Sequence, residues 1–102
     1  MTKEQVQMIA FEMVVTAGDA LNCFYSTIVS SQKGLPEQAL QQLAEGKVHL
    51  HKTHQLQTDL IQAEANAEEI PYSLIMVHAQ DHLNTAMNWE RMAQLLIVDL
   101  ND

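Results

Sequence analysis

The stretch LIMVHAQDHLNTAM, Leu74 to Met87, decides how the chain is read. It is mostly apolar, holds no glycine or proline, and repeats its apolar residues every three or four positions, so the spacing predicts a helix. Within it, His78, Asp81, His82 and Thr85 fall at i, i+3, i+4 and i+7, which is one helical face. Leu74 precedes this cluster on the same face, and Met92 and Leu96 follow it. A second stripe of Ile75, Ala79, Leu83, Ala86, Ala93 and Ile97 runs roughly a third of a turn away. One stripe serves the core of the chain itself. The other is apolar but interrupted by two imidazoles, a carboxylate and a hydroxyl, and is expected to meet a second copy of the chain. Its polar groups would then be partly desolvated, and each would need a partner.

Working outward, SSQKGLPEQ (Ser30 to Gln38) and ANAEEIPYS (Ala65 to Ser73) gather the turn-forming residues. Pro71 is expected in the first turn of the helix that follows the second break. The breaks leave three segments, predicted as helices over Lys3–Ser30, Glu37–Asn66 and Tyr72–Leu100. In the first, Val6, Ile9, Met13, Ala17, Ala20, Phe24 and Ile28 mark the apolar side. In the second, Leu40, Leu43, Leu50, Leu60 and Ile61 do so, with a thin middle. No β-branched alternation bounded by hairpin turns is present. The expected fold is all-α: one domain, residues 1–102, forming an antiparallel up-down-up three-helix bundle.

With 102 residues, the chain buries only about 60–65% of its unfolded surface as a monomer, so self-association would add to a modest core. Hydrophobic residues make up 47% of it, which argues against a disordered chain. Thirteen acids against five Lys and Arg give a net charge of −8. This balance disfavours nucleic acid and anionic membrane and favours a basic protein partner. The single cysteine, Cys23, cannot form an internal disulfide; it is expected as a buried packing residue and fits a reducing compartment. MTKEQVQMIA lacks the basic and apolar regions of a signal peptide, and no apolar run approaches the roughly 20 residues of a membrane span. A cytoplasmic location is expected.

The interrupted stripe admits several chemistries. His78 and His82, at i, i+4, suit a metal held on one helix face, but the helical zinc-protease pattern needs Glu directly after the first His, where this chain has Ala79. A further group, HLHKTH, brings His49, His51 and His54, of which the last two share a face; solvation or interhelical hydrogen bonding is the expected account of it. Asp81 on a symmetric contact would meet its own copies. Crowded carboxylates demand protons or a cation, and three around a threefold axis suit Mg²⁺; a hydrogen bond to a neighbouring helix is the alternative. His78 is also a competent nucleophile, because a neutral imidazole with one free lone pair can take a phosphoryl group and pass it on. His82, Gln80 and Thr85 are candidate donors by type. No nucleotide-binding motif is present, so any phosphoryl group would come from another protein.

The segment SLIMVHAQDHLNTAM, Ser73 to Met87, closely resembles the segment around the phosphorylated histidine of the lactose/cellobiose-type enzyme IIA proteins of the bacterial sugar phosphotransferase system. HQLQTDLIQAEA, His54 to Ala65, is similar to the end of that family's second helix, and AGDA, Ala17 to Ala20, to its first-helix motif. The resemblance covers nearly the whole chain in order, and His78-Ala79-Gln80-Asp81-His82 is its most specific part. The chain departs from the family at Leu21-Asn22, where many members carry Arg.

The resemblance implies a three-helix subunit in a homotrimer. It implies that His78 takes a phosphoryl group from the phosphohistidine of the carrier HPr and gives it to a cysteine of the cognate IIB component, which phosphorylates sugar entering through the membrane component IIC. Gln80 and His82 would support the transfer, and Asp81 would gather a divalent cation, Mg²⁺ by type, on the trimer axis. Two other function classes stand beside this one: a metal-binding helical bundle using His78, His82 and Asp81, and a helical module that only binds partners.

Overall fold

A computed structural model describes residues 1–98 of the chain. Three helices follow one another: α1 (Lys3–Gln32), α2 (Pro36–Ala65) and α3 (Leu74–Val98). They form an elongated bundle of 50 × 20 × 16 Å, the length expected for helices of 30 residues rising about 1.5 Å per residue. The all-α bundle read from the sequence is the fold observed.

Local chemistry sets the helix ends. Thr2 caps α1 by accepting from the Gln5 backbone at 3.1 Å, while the Gln5 side chain accepts from the Thr2 backbone at 2.8 Å. This reciprocal pair satisfies two otherwise orphaned donors. At the far end of α1, Gly34 adopts φ 74°, and Leu35 and Gly34 donate to the carbonyls of Ser30 and Ser31. That left-handed stop suits glycine. Pro36 then opens α2, where its missing N–H is no loss. The second turn repeats the same hydrogen-bond pattern with Ala67 at φ 66° in place of glycine.

The predicted boundaries need small corrections. Helix α1 continues two residues past Ser30, to Gln32, and α2 covers Pro36–Ala65 rather than Glu37–Asn66. Helix α3 begins at Leu74, not Tyr72, because the Ser73 carbonyl takes its first backbone bonds. Pro71 therefore lies before the helix and not in its first turn. The predicted end at Leu100 lies outside the described residues.

The core has a seven-residue rhythm. Val6, Ala10, Met13, Ala17, Ala20, Phe24, Thr27 and Ser30 are buried along α1, which packs against both other helices. Ala79, Leu83, Ala86, Ala93 and Ile97 are buried along α3, as its stripe predicted, with Ile75 half-buried beside them. On α2 the stripe differs from the expectation. Leu40 and Ile61 are exposed, whereas Leu60 is buried. The apparently thin middle is occupied by Gly46 and Thr53. A Cβ on Gly46 would stand 2.5 Å from the Phe24 ring, so α1 approaches α2 as closely as it does only because that position is glycine. The Thr53 and Thr16 hydroxyls meet at 2.6 Å, and Ser30 Oγ donates to Gln42 Oε1 at 2.7 Å. Polar ties thus stand at positions where an apolar pattern looks interrupted. Cys23 is half-buried, not buried as expected; burial, followed by the nearby Glu45 and Asp19, pushes its thiol pKa up.

Leu74, Met92 and Leu96 stay exposed, as do Val77 and Leu95. The second face of α3 therefore has no partner among the described residues. No described helix is long and apolar enough to cross a membrane.

Candidate functional site

The middle of α3 holds its two histidines one turn apart. In an α-helix, Cα atoms at this spacing rise about 6 Å along the axis, yet the rings close the gap. The Nε2 atoms of His78 and His82 lie 3.0 Å apart, a hydrogen-bond distance. The rings meet edge to face, with centroids 4.4 Å apart and planes at 78°. At this distance one ring can donate and the other accept, with the roles set by the tautomers. His78 is exposed and His82 half-buried, which leaves the first ring approachable from solvent.

The other predicted site residues are placed differently. Thr85 Oγ1 donates to the Asp81 carbonyl at 2.9 Å, so its proton is taken up by the helix backbone and is not directed at the histidines. Gln80 lies on the flank facing α2. Its Oε1 accepts from Gln57 Nε2 at 2.6 Å, and its own amide nitrogen donates to Met76 Sδ at 3.4 Å. The structure therefore brings together His78 and His82, and sets Gln80 on the neighbouring flank. Asp81 is exposed and borders, with Leu74, Ile75, Val77 and His78, a shallow and largely apolar depression. Its side chain has no hydrogen-bond partner among the described residues.

The α2 histidines form no matching pair. His49 is half-buried and its carbonyl accepts from Thr53. His51 and His54 are exposed and line a groove between α2 and α3 with Lys47 and Arg91. Among the described residues, no three His, Cys, Asp or Glu side chains of one chain converge on a point where a metal could sit. His78, His82 and Asp81 thus do not make a metal site within a single chain.

Sequence reasoning missed Gln57. It stands in the seven-residue rhythm of α2 between Thr53 and Leu60, and that register was the available signal that it points inward. Its polar side chain reads as a gap in a hydropathy pattern.

A family model, described as "PTS system, Lactose/Cellobiose specific IIA subunit", matches residues 8–100. The chain belongs to this family. It is 36% identical over 94 residues to the lichenan-specific phosphotransferase enzyme IIA component of Bacillus subtilis, covering 92% of this chain and 86% of that one. The crystal structure of PtcA from S. mutans superposes with a TM-score of 0.95 at 35% identity, over the whole of both chains. The IIA(Chitobiose) chain in the Escherichia coli IIA(Chitobiose)–HPr complex matches with a TM-score of 0.76 at 26% identity, covering 90% of this chain and 89% of that one. As a IIA subunit, the protein is a phosphotransfer component of a sugar phosphotransferase system. The His78–His82 pair lies in the matched region of this IIA subunit, on a helix it shares with its relatives.

Proposed function

We propose that His78 is the phosphoryl carrier of this IIA subunit. The observation that carries the reading is the imidazole pair on the exposed face of α3, with Nε2 of His82 3.0 Å from Nε2 of His78. Such a contact presents a nucleophilic nitrogen beside a donor of the same type. It is too short to admit a phosphoryl group, so the rings separate when one arrives. His82 then turns its N–H to a phosphoryl oxygen.

The donor is the phosphohistidine of HPr; HPr is the partner in the complex of the chitobiose relative. The Nε2 lone pair of His78 forms an N–P bond as the donor's N–P bond breaks, and that electron pair returns to the donor's ring. The proton on Nδ1 of His78 stays in place. In the second step a cysteine thiolate of the cognate IIB component attacks the phosphorus. An S–P bond forms, the N–P bond breaks, and the electron pair returns to Nε2 of His78. The sequence of steps serves uptake and phosphorylation of a lactose/cellobiose-type disaccharide through the IIC component, with the IIA subunit in the cytoplasm. Gln80 supports the site from behind, by bonding to α2, rather than by touching the phosphoryl group.

Homotrimer formation gives the second face of α3 its cover. Leu74, Val77, Met92 and Leu96 are exposed on a helix whose opposite stripe is already buried, and another copy of the chain is the economical partner. One carboxylate per chain is too few for a Mg²⁺ ion, which takes about six oxygens. Three copies of Asp81 on an axis, completed by water, fit it. When bound, the ion would neutralise the three carboxylates and so hold the subunits together; the transfer itself belongs to His78 and His82.

The test is incubation with phosphoenolpyruvate, enzyme I and HPr, followed by the mass of the intact chain. One phosphoryl group per chain is expected, lost in acid and kept in base, and discharged by a IIB component. A chain whose mass does not change would favour a module that only binds partners.

A further inference from the structure

The described residues hold one side-chain hydrogen bond between α2 and α3, from Gln57 Nε2 to Gln80 Oε1 at 2.6 Å. The helices it joins otherwise touch sparingly, and the groove lined by Leu50, His54, Met87 and Arg91 opens between them. The buried stripe of α3 mixes small and large side chains: Ala79, Ala86 and Ala93 are fully buried, Leu83 and Ile97 are buried with them, and at the turn of Gln80 the buried residue is Ala79. At that turn a single methyl group fills only a shallow groove and interlocks little with its neighbours. Such a contact fixes distance better than it fixes rotation. The half-buried Gln57–Gln80 tie adds what Ala79 lacks there, a contact that depends on direction.

We infer that Gln57 is a positioning residue for the phosphoryl site: by holding Gln80, it sets the rotation of α3 that aims the His78–His82 pair. The inference rests on His78 being the carrier. The lever arm is short and direct. Gln80 lies between the two histidines in sequence, on the flank facing α2, so the tie acts at the very turn that carries them. A rotation of about 20° moves an atom at the side-chain radius of a helix, about 5–6 Å, by roughly 2 Å. That exceeds the tolerance of an in-line transfer, in which a misplacement of about 1 Å can cost about a hundredfold in rate.

Two variants of the full chain test it. Gln57→Met keeps the length and removes the donor. Gln57→Glu removes the donor but offers an acceptor, to which the Gln80 amide can donate after flipping, so the tie re-forms with reversed polarity. Single-turnover phosphorylation by phospho-HPr is followed over a range of donor concentrations, and the ring resonances of His78 and His82 are recorded by NMR. For Gln57→Met, the saturating rate is expected to fall roughly tenfold, with the half-saturating donor concentration unchanged and both ring resonances displaced. Gln57→Glu is expected to restore most of the rate and the ring positions. A parental saturating rate in Gln57→Met, a loss confined to half-saturation, or a loss in both variants without displaced rings would overturn the assignment. If Gln57→Met does not fold, Gln57→Glu decides alone, and a rate as low as that of His82→Ala contradicts the tie. A parent chain that takes no phosphoryl group overturns the carrier reading instead; the ring resonances still show whether Gln57 sets the pair.

Discussion

His78 and His82 on α3 have the same chemical means as His51 and His54 on α2, at nearly the same helical spacing. The α3 rings converge until their Nε2 atoms lie 3.0 Å apart, while the α2 rings line an open groove beside Lys47 and Arg91. Their neighbours make the difference. The α3 pair sits on a face that also carries exposed Leu74, Val77 and Asp81, a surface with apolar area still to bury. The α2 histidines flank two cations and belong to a solvated face. Histidine spacing therefore says little by itself; the surface around the pair tells a site from a solvated cluster.

The largest effect expected separates the two groups outright. His78→Ala should abolish phosphorylation by phospho-HPr, while the double change His51→Ala with His54→Ala should leave the extent of labelling as in the parent. Label retained after His78→Ala would erase the contrast. Next comes His82→Ala, which should slow transfer to and from His78 by roughly tenfold to a hundredfold, on the scale of a lost positioning contact, with full labelling still reached in time. Equal rates for variant and parent would remove His82 from the site.

A smaller effect concerns the surface rather than the rings. Sedimentation should show a trimer that weakens when a chelator removes divalent cation. Asp81→Leu should make the trimer indifferent to chelator and as stable or more so, since apolar replacement of a buried charged cluster often gains about 1–4 kcal/mol. A parent trimer untouched by chelator would separate Asp81 from cation binding. The smallest effect is a control on the fold. Ala67→Gly relieves a left-handed alanine at φ 66°, whose strain of about 1–2 kcal/mol is partly offset by the entropy of an unfolded glycine. Thermal or urea unfolding should show a gain of roughly 1 kcal/mol, with phosphorylation unaltered. A loss of stability would mean that the turn favours the methyl group.

The α3 stripe was legible because its alanines, leucine and isoleucine keep a strict helical spacing, and its polar interruption stood out against them. Helix α2 was read less well for a physical reason. Its inward positions include Gly46, Thr53 and Gln57, chosen for close approach and hydrogen bonding, and a hydropathy pattern counts these as gaps. Leu40 and Ile61 attracted attention as apolar residues, yet both are exposed. At the site, sequence gave the residues of one helix face but not the ring contact, which depends on side-chain rotamers. Nor did it show that the Thr85 proton goes to the backbone or that Gln80 turns to α2. These are partnerships across or along helices, and a linear spacing leaves them open.

Peptide mapping of the chain phosphorylated by phospho-HPr, carried out in base to preserve the P–N bond, tests the central claim most directly. The account predicts that the phosphoryl group is found on the peptide containing His78 and nowhere else, at one per chain. A phosphoryl group on the peptide spanning His49 to His54, or on His82 in place of His78, would contradict it.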